Sequence, residues 1–170
     1  VSSRSAEAQK RHIVPDGIVR DNRVIVAGST WPEEESVLLP AILALIGEVP
    51  NLLFFLVPHE PTIEHIEDVE QQLQGKSTSI RFSALNEYQG ERVIVVDSIG
   101  LLLILYVYAD IAYIGGSFRQ GIHNVLEAAV YGCPVVFGPR HRNSQEPLQL
   151  VERGGAFVVN DGNEVYRTFR

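Results

Sequence analysis

The chain has 170 residues, 45% of them hydrophobic and 21% charged, with a formal net charge of -7. That length suits one domain with a single substantial core. The acidic balance and the lack of any Lys/Arg-rich run exclude nucleic acid as a partner, because the phosphate backbone selects clustered positive charge.

A single cysteine, Cys133, excludes an intramolecular disulfide, and its place after Gly132 suits a small buried hydrophobe better than a nucleophile. No stretch approaches the roughly 20 apolar residues of a transmembrane helix. The chain starts at Val1 and contains no methionine, and its ends read as open, so it is expected to be part of a larger protein. Residues 1–23 read as a polar linker or entry segment and 24–170 as the folded domain.

Taken in chain order, Val24–Ala27 is a β-branched run closed by Gly28, a buried strand and its turn. Thr30-Trp31-Pro32-Glu33 has capping-box spacing with a proline just inside the helix start. Val37, Leu38, Ala41, Ile42 and Leu45 then form an apolar stripe, with Pro40 inside it demanding a kink or a later start. Gly47 and Pro50 end that helix. Leu52–Val57 is a second buried strand. Thr62 caps the next helix, whose apolar face is Ile63, Ile66, Val69 and Leu73, and Gly75 ends it.

Ile80–Phe82 reads as a short strand and Arg92–Val96 as a stronger one, which Asp97-Ser98-Ile99-Gly100 turns into a helix over Leu101–Ala109. Ile111–Ile114, Pro134–Phe137 and Ala156–Val159 complete the strands, with helices near Asn124–Tyr131 and Gln145–Glu152 between them. Strands that are continuous apolar runs and alternate with helices predict α/β, a doubly wound parallel sheet covered on both faces.

In such a sheet, ligands bind beyond the carboxyl ends of the strands. The residues there are Gly28-Ser29-Thr30, Pro58-His59-Glu60-Pro61, Asp97–Gly100, Gly115–Asn124 and Gly138–Asn143. In G-G-S-F-R-Q-G-I-H-N-V-L-E (Gly115–Glu127), the glycines let backbone approach a ligand and the following helix offers free N–H groups to an anion. Glu127 shares a helix face with His123 and Asn124, and a carboxylate there suits ribose hydroxyls. The same residues are also those of a tight turn and an ordinary asparagine cap. Gly28-Ser29-Thr30 is a second candidate anion site, weak by itself because Ser/Thr caps are common. His59 could meet an anionic sugar or simply be solvated. Asp97 and Asp110 read as turn or cap residues. No His/Cys/Asp cluster has metal-ligand spacing, and no Walker A or G-x-G-x-x-G pattern occurs.

These residues resemble a family. Gly28-Ser29-Thr30 with Glu33-Glu34-Glu35 is similar to the G-S-T-x-x-x-E-E segment that opens the C-terminal domain of Kdo (3-deoxy-D-manno-octulosonic acid) transferases. Asp97–Gly100 with Leu103–Asp110 resembles their D-T-M-G-E-L-x-x-L-Y-x-x-A-D block. Gly115-Gly116-Ser117 with His123-Asn124 and Leu126-Glu127 resembles G-G-S-x-x-x-x-G-G-H-N-P-L-E, and Gly132–Pro139 with Asn143 resembles G-x-P-V-L-F-G-P-x-x-x-N. The blocks keep the family's order from Val24 to Val159. Ile122, Val125 and the Pro58–Pro61 stretch depart from it.

The resemblance implies the Rossmann-like, nucleotide-sugar-binding half of a GT-B glycosyltransferase. That half would hold CMP-Kdo for transfer of Kdo to lipid A in lipopolysaccharide biosynthesis, without metal or other cofactor. By the same resemblance Gly28, Ser29, Thr30, Gly116, Ser117, His123 and Asn124 surround the phosphate and the Kdo carboxylate. His59 stands near the sugar, Glu127 holds the ribose, and the Ile99-Gly100 backbone meets the cytosine edge. No catalytic residue is expected in this chain. The base, the lipid A precursor and association with the cytoplasmic face of a bacterial inner membrane belong to a second, N-terminal domain, so the chain alone is expected to be inactive. The alternatives are another GT-B enzyme using a UDP-sugar, transferase or epimerase, or a non-catalytic flavodoxin-like module.

Overall fold

A computed structural model of the chain describes residues 14–115, 134–137 and 156–158. The helices expected near 124–131 and 145–152 lie outside the described residues.

The chain enters through a short helix α1 (Asp16–Val19) and forms β1 (Arg23–Thr30), α2 (Pro32–Glu48), β2 (Leu52–Pro58) and α3 (Ile63–Leu73). Then come β3 (Ser79–Arg81), a 3-10 turn (Phe82–Glu87), β4 (Val93–Val95), α4 (Leu102–Leu105) with a second 3-10 turn (Tyr106–Tyr108), β5 (Ile111–Ile114), β6 (Val135–Phe137) and β7 (Ala156–Val158). Among the described residues, seven strands form one sheet in the order β3-β4-β2-β1-β5-β6-β7, and every neighbouring pair is parallel. The doubly wound α/β expectation holds.

Side chains alternate across a strand, so a sheet buried on both faces sorts its residues by twos. Ile25, Ala27, Phe54, Leu56, Val93, Val95 and Tyr113 pack with Leu38, Ile42 and Leu45 of α2 and Ile66, Val69 and Leu73 of α3. Val24, Val26, Leu53, Phe55, Ile94, Ala112 and Ile114 face the other way, onto Val14, Ile18, Leu105 and Tyr106. β2 is buried along its whole length, as its unbroken apolar run requires.

The structure corrects several local expectations. The cap of α2 is Trp31 rather than Thr30, and it is Glu34 whose carboxylate accepts the Trp31 N–H at 2.8 Å. Pro32 sets this register, because its fixed φ and missing N–H suit the first helical position. The helix continues through Pro40, which lies on the exposed face. The helix expected over Leu101–Ala109 is only one turn plus a 3-10 turn, in keeping with the weak helix preference of Tyr106-Val107-Tyr108. Phe82 leaves the strand to begin the first 3-10 turn, and Ile63 is 62% exposed rather than part of the buried face of α3. Thr62 does cap α3, its hydroxyl accepting the His65 N–H at 3.2 Å. Gly75 follows that helix with φ +77, the left-handed conformation that glycine adopts without penalty.

Candidate functional site at the carboxyl ends of the strands

The chain winds from β1 out to β2, β3 and β4, then returns to place β5 on the other side of β1. The switch point therefore falls between β1 and β5, where an open parallel sheet forms its ligand crevice. Gly28 and Gly115 meet there: the Gly115 N–H donates to the Gly28 carbonyl at 2.7 Å. A Cβ on Gly115 would run into the Ser29 carbonyl, so only glycine allows this approach.

Ser29 is half-buried and holds φ 54, the one positive φ among the described non-glycine residues. It marks an irregularity in the β1–β2 register between Gly28 and Thr30. A non-glycine residue in this region costs of order 1–3 kcal/mol and persists where its surroundings impose it. The strand end is thus bent at the residue next to the switch point.

The other expected residues divide into three groups. Gly28 is buried, and a Cβ there would collide with the Tyr106 hydroxyl and lie 2.5 Å from a Leu102 methyl. Its lack of a side chain serves the seating of α4 and the turn after it. Thr30 is fully buried, with its hydroxyl donating to Glu35 at 2.8 Å, so its side chain supports the crevice from behind. His59 is exposed at the end of β2; its N–H donates to the Thr30 carbonyl at 2.8 Å, and its ring stacks on Trp31 with centroids 4.4 Å apart. Ile99 is 79% exposed and Gly100 has φ +83, in the turn that leads into Leu102 and so back toward Gly28. Gly116, Ser117, His123, Asn124 and Glu127, together with Cys133, Arg140, Arg142 and Asn143, lie outside the described residues.

Three carboxylates occupy the first turn of α2, and one of them already takes the Trp31 amide. Pro32 has no N–H to offer. That helix start differs from the open amide cup of an anion site, and the bent backbone at Ser29 is what this end of β1 presents instead.

Sequence reasoning missed a buried polar cluster behind the crevice. Glu35, 1% exposed, contacts His65 Nε2 at 2.7 Å, and His65 Nδ1 contacts the Glu60 carbonyl oxygen at 3.0 Å. Burial works against a charge on His65, but the hydrogen bond and negative charge of Glu35 outweigh it. The Glu60 carbonyl and Asp68 add to them, and the pKa is raised above its usual 6.5. The available signal was Glu35 itself, an acidic residue three positions before Leu38 on the stripe that faces the core.

Asp97 and Asp110 are structural, as expected. Asp97 accepts the Ser83 N–H and hydroxyl at 3.1 and 2.5 Å, and Asp110 accepts the Val24 N–H at 2.8 Å. Arg92 fastens the end of α2 to β2 through the Leu52, Ile46 and Val49 carbonyls. A pocket of about 480 Å³ opens at the opposite, amino end of the sheet, between Arg23, Leu45, Val49, Asp110 and Ile111. It is on the wrong side for the switch-point crevice. Among the described residues no group of three His, Cys, Asp or Glu could hold a metal ion, and no helix is long and apolar enough to cross a membrane.

No family model matches the chain. It is 35% identical over 145 residues to a 3-deoxy-D-manno-octulosonic acid transferase of Haemophilus influenzae, covering 83% of this chain and 34% of that protein. It is 28% identical over 153 residues to the enzyme of the same name from Rickettsia typhi, covering 88% of this chain and 33% of that protein. The chain thus spans about a third of the length of the curated relatives it matches. Its fold superposes on the C-terminal CMP-Kdo binding domain of WaaA from Acinetobacter baumannii with a TM-score of 0.81 at 24% identity, over 99% of this chain and 88% of that one. UDP-GlcNAc 2-epimerase from Neisseria meningitidis shares the fold at a TM-score of 0.58 and 18% identity, over 99% of this chain and 38% of that one. Sequence and fold together make this chain a relative of the 3-deoxy-D-manno-octulosonic acid transferases, corresponding to one third of such a protein and built as a GT-B C-terminal domain.

Proposed function

We propose that this chain is the donor half of a Kdo transferase and binds CMP-Kdo in the crevice between the ends of β1 and β5. The observation that carries the reading is the similarity to Kdo transferases along nearly the whole chain, together with a switch-point crevice formed by the motif residues Ser29 and Gly115. The bent backbone at Ser29 and the loop after Gly115 would face the donor's phosphate and carboxylate. His59 and the Ile99-Gly100 turn would flank it, and Glu127 would take the ribose hydroxyls.

Transfer breaks the bond between the anomeric carbon of Kdo and the CMP phosphate oxygen, and forms one to a lipid A hydroxyl. CMP leaves and the acceptor loses its proton to a base. The Kdo transferase resemblance assigns the base, the acceptor and any membrane contact to a second domain of the whole protein.

The test is CMP release from CMP-Kdo with a lipid A precursor. The parent protein should release CMP in step with Kdo transfer, and the 170-residue chain alone should release none. Transfer by the chain alone would overturn the division of labour, and a parent protein inactive on CMP-Kdo but active on a UDP-sugar would overturn the substrate.

A further inference from the structure

Behind the crevice, one histidine bridges two acceptors. His65 Nδ1 meets the Glu60 carbonyl oxygen at 3.0 Å and Nε2 meets a Glu35 carboxylate oxygen at 2.7 Å. A carbonyl can only accept, and so can an ionised carboxylate, whereas a neutral imidazole has a single N–H to give. Both contacts are satisfied only if the pair holds one proton more, on His65 as imidazolium or on Glu35 as an acid donating to Nε2. The second Glu35 oxygen is occupied by the Thr30 hydroxyl at 2.8 Å. Glu35 and Thr30 are almost wholly excluded from water, so solvent cannot readily supply a donor at the Glu35 end of the bridge, whereas the Glu60 end lies at the surface.

The elements joined are those that shape the site. Thr30 ends β1, Glu35 opens α2, and Glu60 belongs to the loop after β2, next to His59. That loop is also pinned by the His59 N–H on the Thr30 carbonyl and the Thr62 N–H on the Glu60 carbonyl, at 2.8 and 2.9 Å. We propose that Glu35 and His65 share one proton that clips the loop after β2 to the start of α2, which makes them positioning residues for His59 at the crevice. The clip stands on this geometry; its effect on a donor rests on the Kdo transferase reading.

The groups that act on the clip are few. Glu35 faces His65 from α2, and Asp68 lies on His65's own helix. Thr30 from β1 and the Glu60 carbonyl are uncharged contacts. When the proton leaves, the imidazole keeps a single N–H, which the buried Glu35 carboxylate holds, and the Glu60 carbonyl then faces the Nδ1 lone pair. The loop end that carries Glu60 and His59 is released from α2 while the sheet stays intact.

Proton-detected nitrogen NMR of the His65 ring, with hydrogen exchange at the His59 amide, tests the clip in this chain. Below the raised pKa, His65 should show both ring nitrogens protonated or hydrogen-bonded to a shared proton. His59 amide protection, corrected for intrinsic exchange, should fall as that signal titrates. Glu35→Gln should return the titration to or below the ordinary histidine value. His65→Gln, which cannot titrate, should make His59 protection independent of pH, and it serves if Glu35→Gln does not fold. A neutral His65 ring at pH 6 with no proton shared across the Glu35 contact, or His59 protection that ignores the titration, overturns the proposal. CMP affinity measured across the same range should weaken several-fold as the clip opens. If the clip titrates as described and CMP never binds, the donor reading fails and the clip stands.

Discussion

The Gly115 amide donates to the Gly28 carbonyl at 2.7 Å, and this bond closes the ends of β1 and β5 on each other at the point where the sheet changes winding direction. A methyl at residue 115 would strike the Ser29 carbonyl and reach within 2.7 Å of the Gly28 carbonyl oxygen, all backbone atoms that cannot rotate away. Gly115→Ala is therefore expected to cost about 1–3 kcal/mol, the range for forced overpacking. Thermal denaturation checks it. Gly47→Ala, where a Cβ meets nothing within 4 Å, is the control and should stabilise α2 by roughly 0.5–1 kcal/mol.

Thr30 supports the crevice through a hydroxyl that never reaches it. Thr30→Val keeps the shape but leaves a buried Glu35 oxygen without its donor, a loss of about 1–3 kcal/mol. Thr30→Ser should retain most of the stability, and urea denaturation of the two variants compares them. Equal loss in both would mean that the methyl packing, not the hydrogen bond, carries the effect.

His65 also makes stability depend on pH. Its folded pKa is raised, so the stability it adds is fully present below the unfolded value of 6.5 and is lost as pH rises through the folded value. The melting temperature should fall over that window, and the fall should vanish in His65→Gln. A pH profile identical in the wild type and this variant would contradict the geometry of the Glu35 contact.

Much of this was written in the sequence because the physics is local. The β-branched runs at Val24–Ala27 and Ile111–Ile114 and the Thr62 cap each carry their own signal within a few residues. The alternation that sorts Ile25 and Ala27 from Val24 and Val26 was not legible, since in a doubly buried strand both faces are apolar. The one-residue shift of the α2 cap turned on whether Glu33 or Glu34 reaches back, which Pro32 settles only once the helix is formed. The Glu35–His65 contact joins positions 30 residues apart, and nothing in either neighbourhood announces the other. At the site, the motif spacing did locate Ser29, His59 and Gly100 at the carboxyl end. Gly28 belongs to the same motif, and the fold also uses its bareness to admit Tyr106 and Leu102.

Glu127 is proposed to hold the ribose of the donor through a charged acceptor, worth about 1.5–3 kcal/mol. Glu127→Gln should weaken CMP binding by about tenfold or more, at roughly 1.4 kcal/mol per decade, with the melting temperature of the free chain unchanged. Unchanged affinity in a stable variant would remove Glu127 from the site, and a lowered melting temperature without CMP would make it a structural partner.

The most direct test of the donor reading is calorimetry of the chain with nucleotides in parallel: CMP, UMP, GMP and NAD. CMP should bind in preference to the other three, weakly because the proposal assigns half the cleft to a second domain, and Gly115→Ala should weaken it further by disturbing the Ser29 backbone. A preference for UMP would assign the crevice to a UDP-sugar enzyme, and no nucleotide binding at millimolar concentration would contradict the account.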